Sequence, residues 1–179
     1  PLGLVSVALL GCSSGGYVAQ QLAVDIPDRV SCLVLVGSPR SLQGRTSFAN
    51  EVARLVDPVD DVWVRDSLEW FPRFHDVPDW YIDDRVADGA RVPARVWRDS
   101  LTGLLTADPP TETGTITAPT LIICGDRDEL ISLEEEQALS TAIPGSRLVV
   151  YADTGHLVLW EQPDRVAQDA SDFIGDMPI

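Results

Sequence analysis

Residues 7–23, "VALLGCSSGGYVAQQLA", contain the clearest structural signal of this sequence. An apolar run over residues 5–10 stops at a glycine, two serines follow, and the spacing of apolar residues becomes helical over residues 15–24. This change of period predicts a buried strand, a sharp turn and a helix. The turn fits the motif G-x-S-x-G, with Ser13 in the place of a serine nucleophile.

The residues of this turn allow three interpretations: a catalytic turn, a phosphate-binding loop and a plain connection. A phosphate loop is disfavoured, because no lysine follows as in a P-loop and no G-x-G-x-x-G spacing is present. In a catalytic turn, Gly11 and Gly15 would let strand and helix approach without Cβ clashes. The helix N-terminus would then point the backbone amide of Ser14 at a developing oxyanion. On this motif alone, the catalytic turn and the plain connection remain equally open.

The composition excludes several classes of protein. With 179 residues, of which 45% are hydrophobic and 23% charged, the chain resembles a globular domain. A formal net charge of −15 argues against nucleic acids and anionic membranes as partners. No apolar run approaches the ~20 residues of a membrane helix. The three cysteines, Cys12, Cys32 and Cys124, lie in apolar runs without a CxxC pair, which predicts reduced thiols and a cytoplasmic location.

Further along the chain, apolar strands alternate with amphipathic helices. Strands are predicted over residues 33–36, 120–124 and 147–151, and helices over residues 133–143 and 163–174. Such strands predict an α/β fold with a parallel sheet flanked by helices. Residues 41–108 interrupt the alternation with four of the five tryptophans and no strand pattern. We therefore predict a core formed by residues 1–40 and 109–179, with residues 41–108 inserted as a helical lid.

A serine nucleophile needs a base and an orienting acid. Of the two histidines, His156 follows the fourth predicted strand, whereas His75 lies in the insertion. Functional side chains of a parallel sheet collect at the carboxyl ends of its strands, so His156 is the predicted base. Asp126 and Asp128 both follow the third predicted strand. We predict Asp128 as the acid and Asp126 as a residue that shapes the turn.

The order Ser13, Asp128, His156 is the order of nucleophile, acid and base in α/β-hydrolases. The segments "LLGCSSGG", "APTLIICGDRDELIS" and "YADTGHLVLWEQPDRV" resemble the nucleophile elbow, the acid loop and the histidine loop of this family. The resemblance implies a serine hydrolase with a helical lid that cleaves a small, largely apolar ester, lactone or related acyl substrate, without cofactor or metal. Dehalogenases and epoxide hydrolases of the family are disfavoured, because their nucleophile is an aspartate.

The lid and the beginning of the chain lead to further expectations. Trp63, Trp70 and Trp97 are candidates for the substrate pocket, although ordinary packing explains most of the tryptophans. The family's sheet has strands before the nucleophile strand, and a His-Gly loop there supplies a second oxyanion amide; neither has a counterpart in this sequence. We therefore expect this chain to correspond to the C-terminal portion of such a hydrolase. Its exposed sheet edge would be covered by a missing N-terminal segment or by a second copy of the chain.

Two other functions fit the same residues. A ligand-binding or signalling module would have the same fold but would hydrolyse its ligand slowly or not at all. An acyltransferase or a perhydrolase would use the same serine, histidine and aspartate with another acceptor. These alternatives stay open beside the hydrolase.

Overall fold

The computed structural model describes residues 3–45 and 48–177, and within them the strands form a four-stranded sheet. All neighbouring strands are parallel and follow one another in the order of the sequence. The strands are Val7–Cys12 (β1), Val30–Val36 (β2), Thr120–Gly125 (β3) and Arg147–Tyr151 (β4). This parallel sheet, with helices between its strands, confirms the predicted fold class.

Helices follow each of the four strands. They are Ser14–Asp25 (α1), Ala49–Ala53 (α2), Asp61–Leu68 (α3), Asp79–Arg91 (α4), Ala94–Thr106 (α5), Pro110–Thr113 (α6), Leu133–Ala142 (α7), Val158–Glu161 (α8) and Pro163–Gly175 (α9). The α7 helix begins at a capping box formed by Ser132 and Glu135. None of the helices in the described residues is long and apolar enough to cross a membrane.

The bounds of three strands differ from the predicted ones, and for the third, β3, the difference is one residue, because the strand continues to Gly125. The first strand lies two residues later than the predicted residues 5–10. The second begins at Val30 and not at residue 33, because Val30 pairs with Val7 of β1. The exposed Ser31 interrupts the apolar pattern there, so hydropathy alone placed the start of the strand too late.

Alternate residues of the strands face opposite sides of the sheet, and helices cover both sides. On one side, Leu33 and Leu35 of β2 belong to a cluster that includes residues of α1 and α7. On the other side, Val34 and Val36 belong to a cluster with residues of α8 and α9. All four side chains are completely buried. This two-sided burial explains why the strand has a continuous apolar run.

The segment between β2 and β3 carries helices α2 to α6, and the described part of residues 41–108 contains no strand. Its helices share a hydrophobic cluster of their own, which includes Val52, Val64 and Val86. Trp160 of α8 packs against that cluster and so joins it to the core. Residues 46 and 47, which belong to the predicted lid, lie outside the described residues. The division of the chain at residues 41 and 108 stays a prediction.

The β1 strand lies at one edge of the described sheet and pairs with β2 on its inner side. Apolar side chains in this strand and just before it are exposed, with Leu10 at 48% and Val5 at 82%. What covers these side chains stays a prediction.

Candidate active site

Ser13 lies at the sharp turn between β1 and α1. Its backbone has φ 48° and ψ −121°, a positive-φ conformation that is strained for any residue with a Cβ. Hydrogen bonds on both sides hold this conformation: the Ser13 N–H donates to the Val36 carbonyl oxygen at 2.9 Å, and the Ser13 carbonyl oxygen accepts from the Gly16 N–H at 2.9 Å. The side chain is therefore presented at the carboxyl end of β1.

The turn requires glycine at positions 11 and 16. A Cβ on Gly11 would lie 2.6 Å from the Gly15 carbonyl oxygen, and a Cβ on Gly16 would lie 2.3 Å from Ser38 Oγ. A Cβ on Gly15, in contrast, would meet no atom within 4 Å. The prediction that Gly15 permits the close approach was therefore wrong. Position 15 faces open space, whereas position 16 faces the residues that follow β2.

The fold brings the side chains of Ser13, His156 and Asp128 together, although 143 positions separate the first two. Ser13 Oγ lies 2.9 Å from His156 Nε2, and His156 Nδ1 lies 2.7 Å from Asp128 Oδ2. Because a carboxylate only accepts hydrogen bonds, Nδ1 carries the proton and donates it to Asp128. With Nδ1 as the donor, Nε2 can accept a hydrogen bond from the Ser13 hydroxyl. His156 is 5% exposed and Asp128 7%, so both residues of this hydrogen-bonded pair are buried.

The loop after β3 holds Asp128 in place. Its Oδ1 accepts hydrogen bonds from the backbone N–H groups of Leu130 and Ile131, both at 2.8 Å, while Oδ2 faces His156. Asp126 instead accepts from a backbone N–H of the histidine loop at 3.3 Å. Of the two aspartates considered from the sequence, one therefore reaches the histidine and the other connects the two loops.

A buried carboxylate, Glu161 of α8, connects the histidine loop to the insertion. Glu161 is only 6% exposed. Oε1 accepts from the Gly155 N–H at 2.9 Å, and Oε2 accepts from the N–H groups of Phe74 and His75 at 2.7 and 3.1 Å. Hydrogen bonds to a carboxylate are about twice as strong as neutral ones. No local pattern in the sequence reveals this role of Glu161, because Phe74 and His75 lie 87 and 86 positions away from it.

An apolar cavity of about 310 Å³ opens at Ser13 beside the insertion. Trp70 and Trp97 belong to its lining. Trp63, also expected at the pocket, lies behind them, where its ring packs edge-on against both at centroid distances of 5.8 and 5.5 Å. A larger open groove of about 560 Å³ between α1 and α5 contains neither Ser13 nor His156. The apolar cavity is therefore the candidate binding site.

The groups next to Ser13 differ in what they can contribute. Ser14 is the first residue of α1, and the N–H groups of a first helical turn have no acceptor within the helix. Its amide can therefore donate a hydrogen bond to an acceptor outside the helix.

Burial, and after it the charge of Asp128, raises the pKa of the Cys12 thiol to about 11. This thiol stays protonated at neutral pH and does not compete with Ser13 as a nucleophile.

A second buried carboxyl group belongs to Glu136 of α7. The residue is completely buried, and among the described residues neither of its carboxyl oxygens has a hydrogen-bond partner of normal geometry. Burial, and after it the charge of Asp128, raises the pKa of Glu136 to about 9, which the nearby Ser38 amide offsets only in part. At neutral pH the group is uncharged. Nothing in the acidic run of residues 134–136 distinguishes this residue before the helix is packed.

The other candidate groups lie outside this arrangement. His75 is exposed, and its Nε2 lies 3.3 Å from the side-chain amide of Gln162. In the part of the chain that the structure describes, no three His, Cys, Asp or Glu side chains are grouped so that they could hold a metal ion.

Comparisons with known proteins identify relatives along nearly the whole chain. It is 30% identical over 186 residues to a Bacillus subtilis protein whose name, 2-succinyl-6-hydroxy-2,4-cyclohexadiene-1-carboxylate synthase, is provisional; the match covers 97% of this chain and 67% of that protein. It is 28% identical to a 2-hydroxy-6-oxononadienedioate/2-hydroxy-6-oxononatrienedioate hydrolase of Klebsiella pneumoniae, over 97% of this chain and 64% of that protein.

The solved structure of a thermophilic esterase from Thermogutta terrifontis is also similar, with a TM-score of 0.72 and 26% identity over 94% of this chain and 64% of that one. The chain thus spans about two thirds of the length of these relatives. A family model described as alpha/beta hydrolase fold matches residues 1–163. Together with the parallel sheet, this match shows that the chain belongs to the alpha/beta hydrolase fold family.

Proposed function

We propose that this chain carries the site of a serine hydrolase that cleaves a small, largely apolar ester, lactone or related acyl substrate. The observation that supports the proposal is the continuous hydrogen-bonded series from Ser13 through His156 to Asp128, at 2.9 and 2.7 Å, beside an apolar cavity. The names of two relatives, a hydrolase and an esterase, agree with it.

In this mechanism Ser13 Oγ attacks the substrate carbonyl carbon while His156 Nε2 removes the hydroxyl proton. Asp128 orients the imidazole and stabilises its charged form. The oxyanion of the tetrahedral intermediate accepts a hydrogen bond from the Ser14 amide, as such sites require. His156 then protonates the leaving group and, in the second half of the reaction, activates the water that releases the acyl group from Ser13.

Hydrolysis of a short-chain p-nitrophenyl ester tests this proposal. We expect Ser13→Ala to lose at least about a thousandfold in kcat, because the nucleophile is removed. Ser14→Ala is the matched control: it removes the same hydroxyl one residue later but keeps the backbone amide, so most activity should remain. A fluorophosphonate should label the parent chain at Ser13, as detected by mass spectrometry. Equal ester hydrolysis by the parent chain and Ser13→Ala would overturn the proposal.

The same assay separates the alternative functions. An acyltransferase or a perhydrolase would form a new ester or a peracid in excess over free acid when an alcohol or hydrogen peroxide is added. A ligand-binding module would show no difference between the parent chain and Ser13→Ala.

A further inference from the structure

Two cavities of different character meet at the hydrogen bond between Ser13 and His156. The apolar cavity of about 310 Å³ has Ser13 and Ser14 in its lining but not His156. A second cavity, of about 160 Å³, has His156 in its lining but neither serine. Phe48 and Trp70, stacked with ring centroids 4.4 Å apart, line both cavities. This aromatic pair is therefore part of the wall between them.

The two cavities also differ in polarity. The smaller one is lined by the exposed residues Arg127 and Glu129, and Arg127 forms an ion pair with Asp153 at 2.7 Å. The larger one is lined mainly by leucine and aromatic side chains, and Arg45 is the charged residue among its described lining residues. The Arg45 guanidinium forms an ion pair with Glu135 and donates to the Leu130 carbonyl oxygen at 2.6 Å. Its charge is therefore neutralised by the protein, and the larger cavity favours an uncharged, apolar group.

The geometry of acyl transfer assigns one cavity to each half of an ester. Ser13 Oγ forms its bond to the acyl carbon, so the acyl chain extends on the side of Ser13 and Ser14. The alcohol oxygen, whose bond to that carbon breaks, takes the proton that His156 Nε2 removed from Ser13, so the alcohol lies on the His156 side. We infer that the site takes esters of an apolar, medium-length carboxylic acid with a small polar alcohol. This inference rests on the function proposed above.

The second half of the reaction uses the same two cavities. After the alcohol leaves the smaller cavity, water can enter there and give a proton to His156 Nε2. The hydroxyl group adds to the acyl carbon, the bond to Ser13 Oγ breaks, and the proton returns to Ser13. The products are a carboxylic acid in the apolar cavity and a free alcohol. This sequence of steps needs a polar cavity beside His156 for the water and an apolar cavity for the acyl chain.

The orientation is tested with two isomeric esters, ethyl octanoate and octyl acetate, which place the same long chain on the acid or on the alcohol. We expect kcat/KM of the 179-residue chain for ethyl octanoate to exceed that for octyl acetate by roughly tenfold or more, as several extra methylenes in an apolar pocket allow. Hydrolysis with equal values, or a preference for octyl acetate, would overturn the inference and leave the proposed function standing. Equal activity in Ser13→Ala would overturn both.

The polarity of the smaller cavity is tested with 2-hydroxyethyl octanoate and propyl octanoate, which differ by a hydroxyl in place of a methyl group. We expect the hydroxyethyl ester to have the higher kcat/KM, and Glu129→Leu to reduce or reverse this preference. Glu134→Leu makes the same change at an exposed site of α7 outside both cavities and should leave the preference unchanged. A preference for the propyl ester in the parent chain, or an equal effect of both variants, would overturn the assignment of the alcohol to this cavity.

Discussion

Glu161 Oε1 accepts a hydrogen bond of 2.9 Å from the backbone N–H of Gly155, the residue before His156. The other carboxylate oxygen of Glu161 accepts from two backbone N–H groups of the insertion. The approach is also close, because a Cβ on Gly155 would lie 2.5 Å from the Pro72 carbonyl oxygen. The position of the candidate base therefore depends on a segment that lies far from it in the sequence.

We predict that Glu161→Gln lowers both the stability of the chain and the reactivity of Ser13. The amide NH2 would face a backbone N–H, and a buried donor without an acceptor costs about 1–3 kcal/mol. The thermal unfolding midpoint should fall, and fluorophosphonate should label Ser13 more slowly. Glu134→Gln, the same change at an exposed position of α7, is the control. An unchanged midpoint for Glu161→Gln would contradict the prediction.

Asp128→Asn should abolish most turnover with little effect on stability. The asparagine oxygen can still accept from the Leu130 and Ile131 N–H groups, but its NH2 then faces His156 Nδ1. Nδ1 must accept, so the proton moves to Nε2, which can no longer accept from the serine hydroxyl. We expect kcat to fall by about 10³–10⁴-fold at an unchanged unfolding midpoint.

Asp126→Asn is the matched control for that variant. Asp126 hydrogen-bonds the histidine loop and does not contact His156, so kcat should stay within about tenfold of the parent chain. If the losses in the two variants were similar, the assignment of Asp128 as the orienting acid would be wrong.

Glu136 should make the folded state less stable as the pH rises. Its pKa in the folded chain is raised from 4.5 to about 9, so above pH 4.5 the unfolded chain loses a proton that the folded chain keeps. The stability contributed by this group is complete below 4.5 and declines until about 9. Glu136→Gln removes that dependence. We expect its urea midpoint to match the parent near pH 5 and to exceed it increasingly towards pH 9, whereas Glu134→Gln should track the parent throughout.

The two glycines after Ser14 should respond in opposite ways to alanine. Gly16→Ala brings a methyl group to 2.3 Å from Ser38 Oγ and should cost about 1–3 kcal/mol of unfolding free energy. Gly15→Ala adds its methyl group in open space on α1 and should be neutral or stabilising by up to about 1 kcal/mol. Urea unfolding measures both. A larger loss for Gly15→Ala than for Gly16→Ala would contradict the packing described for this turn.

The parallel sheet and its order of elements could be predicted from the sequence because their signals are local. Strands buried on both faces have continuous apolar runs, as in β2 and β3, and a change from these runs to helical spacing marks each turn. The placing of Ser13, Asp128 and His156 as candidates rests on the same logic, since each follows a strand whose carboxyl end lies at one edge of the sheet. The start of β2 was missed only where the exposed Ser31 interrupts the run.

The remaining features were decided by tertiary packing. Hydropathy does not reveal that Glu136, in a run of three glutamates, is completely buried. It also does not reveal that Gly16, and not Gly15, lies against Ser38. The partners of Glu161 and the position of Trp63 behind the cavity depend on how the insertion packs against the histidine loop. Local sequence patterns were enough to predict the sheet, the turn at Ser13 and the order of the candidate residues, because periodicity and turn chemistry act over a few neighbouring residues. Which side chains meet across the site depends on the folded chain, because those contacts join segments that are distant in the sequence.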